Sequence, residues 1–376
     1  MIIAADEVWT PTEALCPGWV RVEDGAVAEA ARGAPPAEPD LRLPIVCPGF
    51  VDIHIHGAFG RDLMDGGAAC ASVSAGLPRH GCTGYLPTTV SAPWQATLDA
   101  VAAFAAAVEH PPAGARPLGI HLEGPFLNPV RRGMQEPAHL RQPAPREADR
   151  LLAAGRGRVR TATIAPELPG GLELAARLAA AGVRVAMAHS DASYDEARAA
   201  AAAGVRHVTH CYNAMRPLHH REPGLVGAVL DLDELTAEVI ADGVHVHPAA
   251  LRLLWRVKGW RDLTLVTDAM AGAGAAEGIY RFGGQDVRVQ AGEARLADGT
   301  LAGSVLTMDR AVRFMVEAGI PAREAVGMAT LAPAEAAGLP RVGRIAPGCY
   351  ADLVGLDAGL RVRWTMVGGA VVWRAG

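Results

Sequence analysis

Short apolar runs recur through the middle of this chain, and most of the gaps between them carry a helical pattern. The runs are Ile45–His56, Gly84–Val90, Pro117–Glu123, Val159–Ala165, Val183–His189, His207–Tyr212, Thr236–Ala241 and Leu263–Asp268. Alanine-rich segments of high helix propensity fill Ala96–Val108, Arg146–Ala154, Leu172–Ala181, Tyr194–Ala203 and Pro248–Val257. Strand–helix alternation repeated eight times predicts an α/β fold, a (β/α)8 TIM barrel. A doubly wound open sheet is the competing architecture, but it would gather ligands near one switch point rather than on several strands.

The ends of these runs carry the chemistry. His54 and His56 lie in V-D-I-H-I-H-G, Glu123 in G-I-H-L-E-G-P, His189 in R-V-A-M-A-H-S, His210 in H-V-T-H-C-Y-N and Asp268 in L-T-L-V-T-D-A-M. Strand C-termini of such a barrel share one rim, where active sites are built. His54 and His56 are two residues apart and so point to one face, with Val51, Ile53 and Ile55 on the other. Each residue alone has a plainer reading. The H-x-H pair can simply precede a glycine turn, Glu123 can pair with an arginine, and His189 and His210 can be satisfied core histidines. Their joint placement at strand ends points instead to a metal site. Imidazole and carboxylate ligands suit zinc best, with iron, cobalt or manganese as alternatives. Cys211 follows His210 but faces the other way, as packing. Asp268 is open as a ligand, a base or both, because a carboxylate beside a metal-activated water can take its proton and deliver it to a leaving group.

The 376 residues accommodate a large barrel and something small. Residues 1–44 and 341–376 read as short strands and turns, with Asp24-Gly25 and Gly368-Gly369 as turn pairs. They are expected to pair into a small β-sandwich domain flanking a catalytic barrel at 45–340. Within the barrel, Ile279–Ala302 reads as a β-hairpin insertion near the mouth, followed by closing helices at Thr307–Ala318 and Pro321–Gly338. A net charge of −5 argues against a nucleic-acid partner or an anionic membrane surface. No run is long enough to span a membrane. Six scattered cysteines without a C-x-x-C pair, and an N-terminus without a basic n-region, fit reduced thiols and a cytoplasmic location.

Longer motifs extend the pattern. P-G-F-V-D-I-H-I-H-G, H-L-E-G-P-F-L-N-P, A-H-S-D-A, T-H-C-Y-N-A-M-R, R-E-P-G-L-V-G, A-D-G-V-H-V, V-T-D-A-M-A and L-A-G-S-V-L-T-M resemble, in order, the N-acetylglucosamine-6-phosphate deacetylases of the amidohydrolase superfamily. H-L-E-G-P-F and T-H-C-Y-N-A-M are specific to this branch, whereas H-x-H marks only the superfamily. The resemblance implies a metal-dependent deacetylase acting on a phosphorylated N-acetyl amino sugar, with one or two divalent ions per subunit. It implies that Glu123, His189 and His210 hold the core ion, and that His54 and His56 hold a second one bridged by Glu123. Asp268 matches the catalytic aspartate and His245 a histidine near the reacting amide. Asn213 and the Ala214 backbone match sugar-phosphate contacts, and Leu301 opens a loop over the substrate. Arg221 matches a phosphate-binding arginine that reaches in from the neighbouring subunit of a homodimer. Plainer readings stand beside these: Arg221 as a surface ion pair with Glu222, and His245 as a structural histidine.

One departure is visible. Many relatives carry R-G-A-H where this chain has Arg132-Gly133-Met134-Gln135. Gln135 can hydrogen-bond a sugar hydroxyl but carries no charge, so the choice between glucosamine and galactosamine epimers stays open. Other reactions fit less well. A cyclic amidase of the hydantoinase or dihydroorotase kind needs a carboxylated lysine on the fourth strand, and the sole lysine, Lys258, lies after the seventh. A deaminase needs an acid placed differently after His189, where Ser190-Asp191-Ala192 follows. A metal-free scaffold would have lost ligands that this chain retains.

Overall fold

The computed structural model describes residues 1–376. Eight parallel strands form a closed barrel: Phe50–Ile55, Cys82–Pro87, a third in two pieces (Arg116–Pro117 and Ile120–Glu123), Val159–Ile164, Arg184–Met187, Val205–Val208, Thr236–Ile240 and Leu263–Val266. The third strand pairs with the second through its first piece and with the fourth through its second piece. Closure between the eighth and first strands comes at the C-terminal rim. There Asp268 N donates to His54 O at 2.9 Å and His56 N donates to Ala269 O at 2.8 Å. The strands read as unbroken apolar runs because both faces are buried, the outer one beneath helices.

The terminal segments form a second sheet of eight strands. Its hub is Leu41–Pro48, parallel to Ile2–Trp9 and antiparallel to Leu353–Leu356, so it joins the two ends of the chain. The sheet curls over its own core of thirteen buried residues, including Val20, Val46, Leu353 and Trp364. The turn before its edge strand Ala26–Arg32 meets the segment leading into Leu353–Leu356, where Ala351 N donates to Gly25 O at 2.9 Å. Gly25 has φ +76°, and a Cβ there would lie 2.9 Å from Gly368 O, so this junction requires glycine. Asp352, buried between the two units, accepts from Gly368 N at 2.8 Å and from Arg116 of the barrel.

Several local expectations change. The boundary expected between 44 and 45 falls inside Leu41–Pro48, which belongs to the flanking sheet; the first barrel strand begins at Phe50. The apolar run is continuous across both, and only Pro48-Gly49 interrupts it. The insertion has three antiparallel strands rather than two: Gly278–Phe282, Gln285–Gln290 and Glu293–Arg295. It buries Phe282, Val287 and Val289 against Val90, Met134 and Met270. The segment Pro321–Gly338 holds two helices, Ala322–Met328 and Leu331–Ala336, separated at Thr330 by non-helical backbone. Two helices, Gly67–Gly76 and Gly224–Asp231, lie outside the expected set; each is short and carries two glycines, which are poor helix formers.

Met308–Glu317 is anchored at its start by Asp309. Its carboxylate accepts from His80 Nδ1 at 3.0 Å, Thr307 Oγ1 at 2.6 Å and Arg313 at 2.9 Å. Burial alone would raise its pKa, but these partners outweigh burial and hold it at about 2. A carboxylate with a depressed pKa contributes stability above its unfolded pKa of ~3.9, and that stability is lost as pH falls through the folded value. Asp309→Asn is therefore expected to cost about 2 kcal/mol near neutrality. Urea unfolding of both proteins should show the gap shrinking between about pH 4 and 2. A gap independent of pH would refute this account.

Candidate metal centre and active site

Six side chains from five barrel strands converge at the closed rim. Glu123 is the last residue of its strand, while His189, His210 and Asp268 each stand two residues beyond theirs. At His189, His210 and Asp268 the backbone takes positive φ, 45°, 33° and 48°, and Tyr212 and Ala214 do the same at 80° and 48°. Non-glycine residues adopt this region at a cost, and such strain collects where a site needs a sharp turn. Gly133, opposite, lets its loop approach closely: a Cβ there would be 3.2 Å from His189 Cε1.

The ligand atoms lie in two overlapping groups. In one, His210 Nε2 is 3.1 Å from both Glu123 Oε1 and His189 Nε2, and His189 Nε2 is 3.3 Å from Glu123 Oε1. In the other, His54 Nε2 is 3.1 Å from His56 Nε2, and His56 Nε2 is 3.0 Å from Asp268 Oδ1. Glu123 stands between them, with Oε1 3.4 Å from His54 Nε2 and Oε2 3.5 Å from His56 Nε2. All six residues are buried. Four imidazole nitrogens and two carboxylates facing one another have more lone pairs than donors, a surplus that a divalent cation satisfies. The Nδ1 atoms of His56 and His210 have no partner, so their rings are held from the Nε2 side. The residues present therefore fit a metal.

Electrostatics agree. Burial disfavours a charged His54, yet the carboxylates of Glu238, Glu123 and Asp268 outweigh it and raise its pKa to about 10. Burial pushes Glu123 the other way, but His54 and the bonds to His189 and His210 hold its carboxyl well below the usual range. Asp268 is likewise lowered, with burial opposed chiefly by His54 and His56. Without an ion the cluster balances its acids with protons; a bound cation takes their place, so binding releases protons.

A cavity of about 360 Å³ lies over the ligands. Asn213, Ala214, His245, Gln135 and Leu301 all lie in its wall, with Phe282, Arg295 and Thr300 contributed from the insertion side. His245 Nδ1 is 2.7 Å from Asp242 Oδ2, leaving Nε2 for a substrate. Gln135 is engaged differently from the expectation that it reaches a sugar hydroxyl. Its Nε2 donates to Glu123 Oε2 at 2.8 Å and its Oε1 accepts from Ser91 N at 2.8 Å, so the amide is committed to a carboxylate of the rim cluster. Arg221 is outside this cavity. It is exposed, and its guanidinium lies 2.8 Å from His220 of the same loop. The ion pair suggested with Glu222 is absent too: Glu222 lies 3.9 Å from Arg216 instead.

Some site residues escaped sequence reasoning. Glu238, His207 and His121 are fully buried beneath the ligands. The signal was there: each is a polar residue within an apolar strand-like run, and His121 shares a face with Glu123. Arg295 in the cavity wall gave no such signal.

Comparison with known proteins agrees with this geometry. The amidohydrolase family pattern matches residues 45–372. An N-acetylgalactosamine-6-phosphate deacetylase of Escherichia coli O157:H7 is 39% identical over 94% of this chain and 95% of its own. An N-acetylglucosamine-6-phosphate deacetylase of Bacillus subtilis is 38% identical over 84% of this chain and 82% of its own. The N-acetyl-D-glucosamine-6-phosphate deacetylase of Mycobacterium smegmatis, solved in complex with N-acetyl-D-glucosamine-6-phosphate, is 41% identical and superposes with a TM-score of 0.95 over 99% of both chains.

The ligand geometry yields a direct test. Adding zinc to chelator-treated protein should raise Tm, since a ligand at 100 times its Kd stabilises the native state by about 2.7 kcal/mol. His210→Ala should lose most of that rise in a thermal melt. An undiminished rise in the variant would show that the ion binds elsewhere.

Proposed function

Because the chain belongs to the amidohydrolase family, we propose that it hydrolyses the acetamide of N-acetyl-D-glucosamine 6-phosphate, giving D-glucosamine 6-phosphate and acetate. The observation that carries this reading is the convergence of Glu123, His189 and His210 on one point beside Asp268, under a cavity of sugar-phosphate size. The named relatives above act on N-acetylhexosamine 6-phosphates. A second reading, the galactosamine epimer, is favoured by the Escherichia coli relative, which matches along nearly its whole length. Amino sugar catabolism in the cytoplasm is the setting we propose for either.

Glu123, His189 and His210 would hold one divalent ion, with zinc the best fit to this donor set; His54, His56 and Glu123 would hold a second. The ion's contribution is Lewis acidity, which activates water and polarises a carbonyl oxygen. The remaining work falls to side chains. Asp268, buried and held ionised by His54 and His56, accepts a proton from water as its oxygen bonds to the acetyl carbon. Asp268 then gives that proton to the amide nitrogen as the C–N bond breaks, so acetate and the free amine leave. His245, fixed through Nδ1 by Asp242, presents Nε2 to the reacting amide. Asn213 and the Ala214 backbone hold the sugar phosphate, and Leu301 covers it, so binding energy remote from the amide aligns it. Arg221, solvent-facing on its own chain, suits a role in the neighbouring site of a homodimer, where its fork would bind phosphate.

Acetate release from a panel of N-acetylhexosamine 6-phosphates tests the assignment and separates the epimers. Asp268→Asn should keep metal content but lower kcat by at least ~100-fold; near-normal turnover would remove Asp268 from the mechanism. Arg221→Ala should raise KM for phosphorylated substrate by roughly 10–100-fold, with little change for the unphosphorylated sugar. Equal effects on both would count against the phosphate role.

A further inference from the structure

Glu238 lies in the middle of the seventh barrel strand, T-A-E-V-I, with no exposed surface, inside the barrel rather than at its mouth. A carboxylate in such a place is expensive unless every lone pair is used. Its Oε2 is 2.9 Å from His54 Nδ1, and its Oε1 is 3.2 Å from His207 Nε2. His207 Nδ1 in turn is 2.6 Å from Thr236 Oγ1, whose hydroxyl donates to Arg206 O. A continuous polar chain thus runs from His54 down to the start of the seventh strand.

None of these groups reaches the cavity, so none touches substrate. The position of Glu238 relative to His54 has a specific consequence. His54 has two ring nitrogens; Nε2 faces the metal cluster, and Nδ1 faces Glu238. A carboxylate accepts and never donates, so the proton of a neutral His54 sits on Nδ1 and the lone pair sits on Nε2. His121 packs edge-on against the same ring at 4.7 Å, which leaves it little room to flip.

We propose that Glu238 is a positioning residue for metal binding: it fixes the tautomer and ring orientation of His54, so that Nε2 offers its lone pair to the ion. This inference rests on the metal-site reading given above. It distinguishes His54 from His56, whose Nδ1 has no partner. It also explains the glutamate in an otherwise apolar strand as part of the site rather than as a core ion pair.

The test is a double-mutant cycle read out as metal affinity, without any turnover. Zinc is titrated calorimetrically into chelator-treated wild type, Glu238→Met, His54→Ala and the double variant. Removal of a partner that orients a ligand typically weakens metal binding by about 10–100-fold. Glu238→Met, similar in volume and without an acceptor for His54 Nδ1, should show that loss in the wild-type background and a change of less than about threefold where His54 is already alanine. Glu238→Gln, whose amide oxygen still accepts, should recover most of the lost affinity. Unchanged affinity in Glu238→Met would overturn the proposal, as would an equal loss in the His54→Ala background, which would mark Glu238 as a general structural support. Zinc uptake failing in wild type would bring down the metal-site reading and this proposal with it, a result distinct from either of the others. Glu238→Leu serves the same cycle should the methionine variant not fold.

Discussion

Glu123 is the carboxylate on which the two halves of the rim cluster of histidines and acids meet. Its Oε1 faces His54, His189 and His210, while its Oε2 faces His56 and accepts from Gln135. These partners come from strands far apart in the chain, and only a closed barrel brings their ends to one rim. The reverse dependence also holds. The barrel's last seam, between the eighth and first strands, is closed by backbone bonds at His54, His56 and Asp268. Residues of the rim cluster are therefore also where the cylinder is sealed.

The barrel interior accordingly departs from a simple apolar filling. His54, His121, His207 and Glu238 are all without exposed surface, and Thr163 bonds both His121 and Thr209 beneath the ligands. Buried polar groups are tolerable when each finds a partner, and a satisfied network specifies one arrangement of side chains. Strain is distributed in the same way. His189, His210 and Asp268 each take positive φ just past a strand, so the turn that exposes a ligand is held by the sheet before it.

The flanking sheet shows the limit of local reading. Strand-like runs and paired glycine turns at both ends of the chain were legible, because alternation and turn chemistry act over a few residues. The junction was not. Leu41–Pro48 and Phe50–Ile55 form one apolar stretch, and which sheet each part joins depends on partners such as Leu353–Leu356, three hundred residues away. At Pro321–Gly338 the break was signalled locally, by Pro333 in the first turn of the second helix behind Thr330, whereas the third strand of the insertion has only three residues and too short a pattern to read.

The sequence by itself determined the repeating α/β architecture and which histidines and acids stand at strand ends, because hydrophobic periodicity and residue type are local properties. Tertiary structure alone decided how those residues are used. Gln135, read as a sugar contact, spends its amide on Glu123, and Glu238, unremarked within an apolar strand, lies against His54. Arg221, matched to phosphate binding, stands outside the cavity of its own chain. A hydrogen bond is a relation between two groups at a definite distance and angle. When those groups are 184 residues apart, as His54 and Glu238 are, only the folded barrel sets that distance.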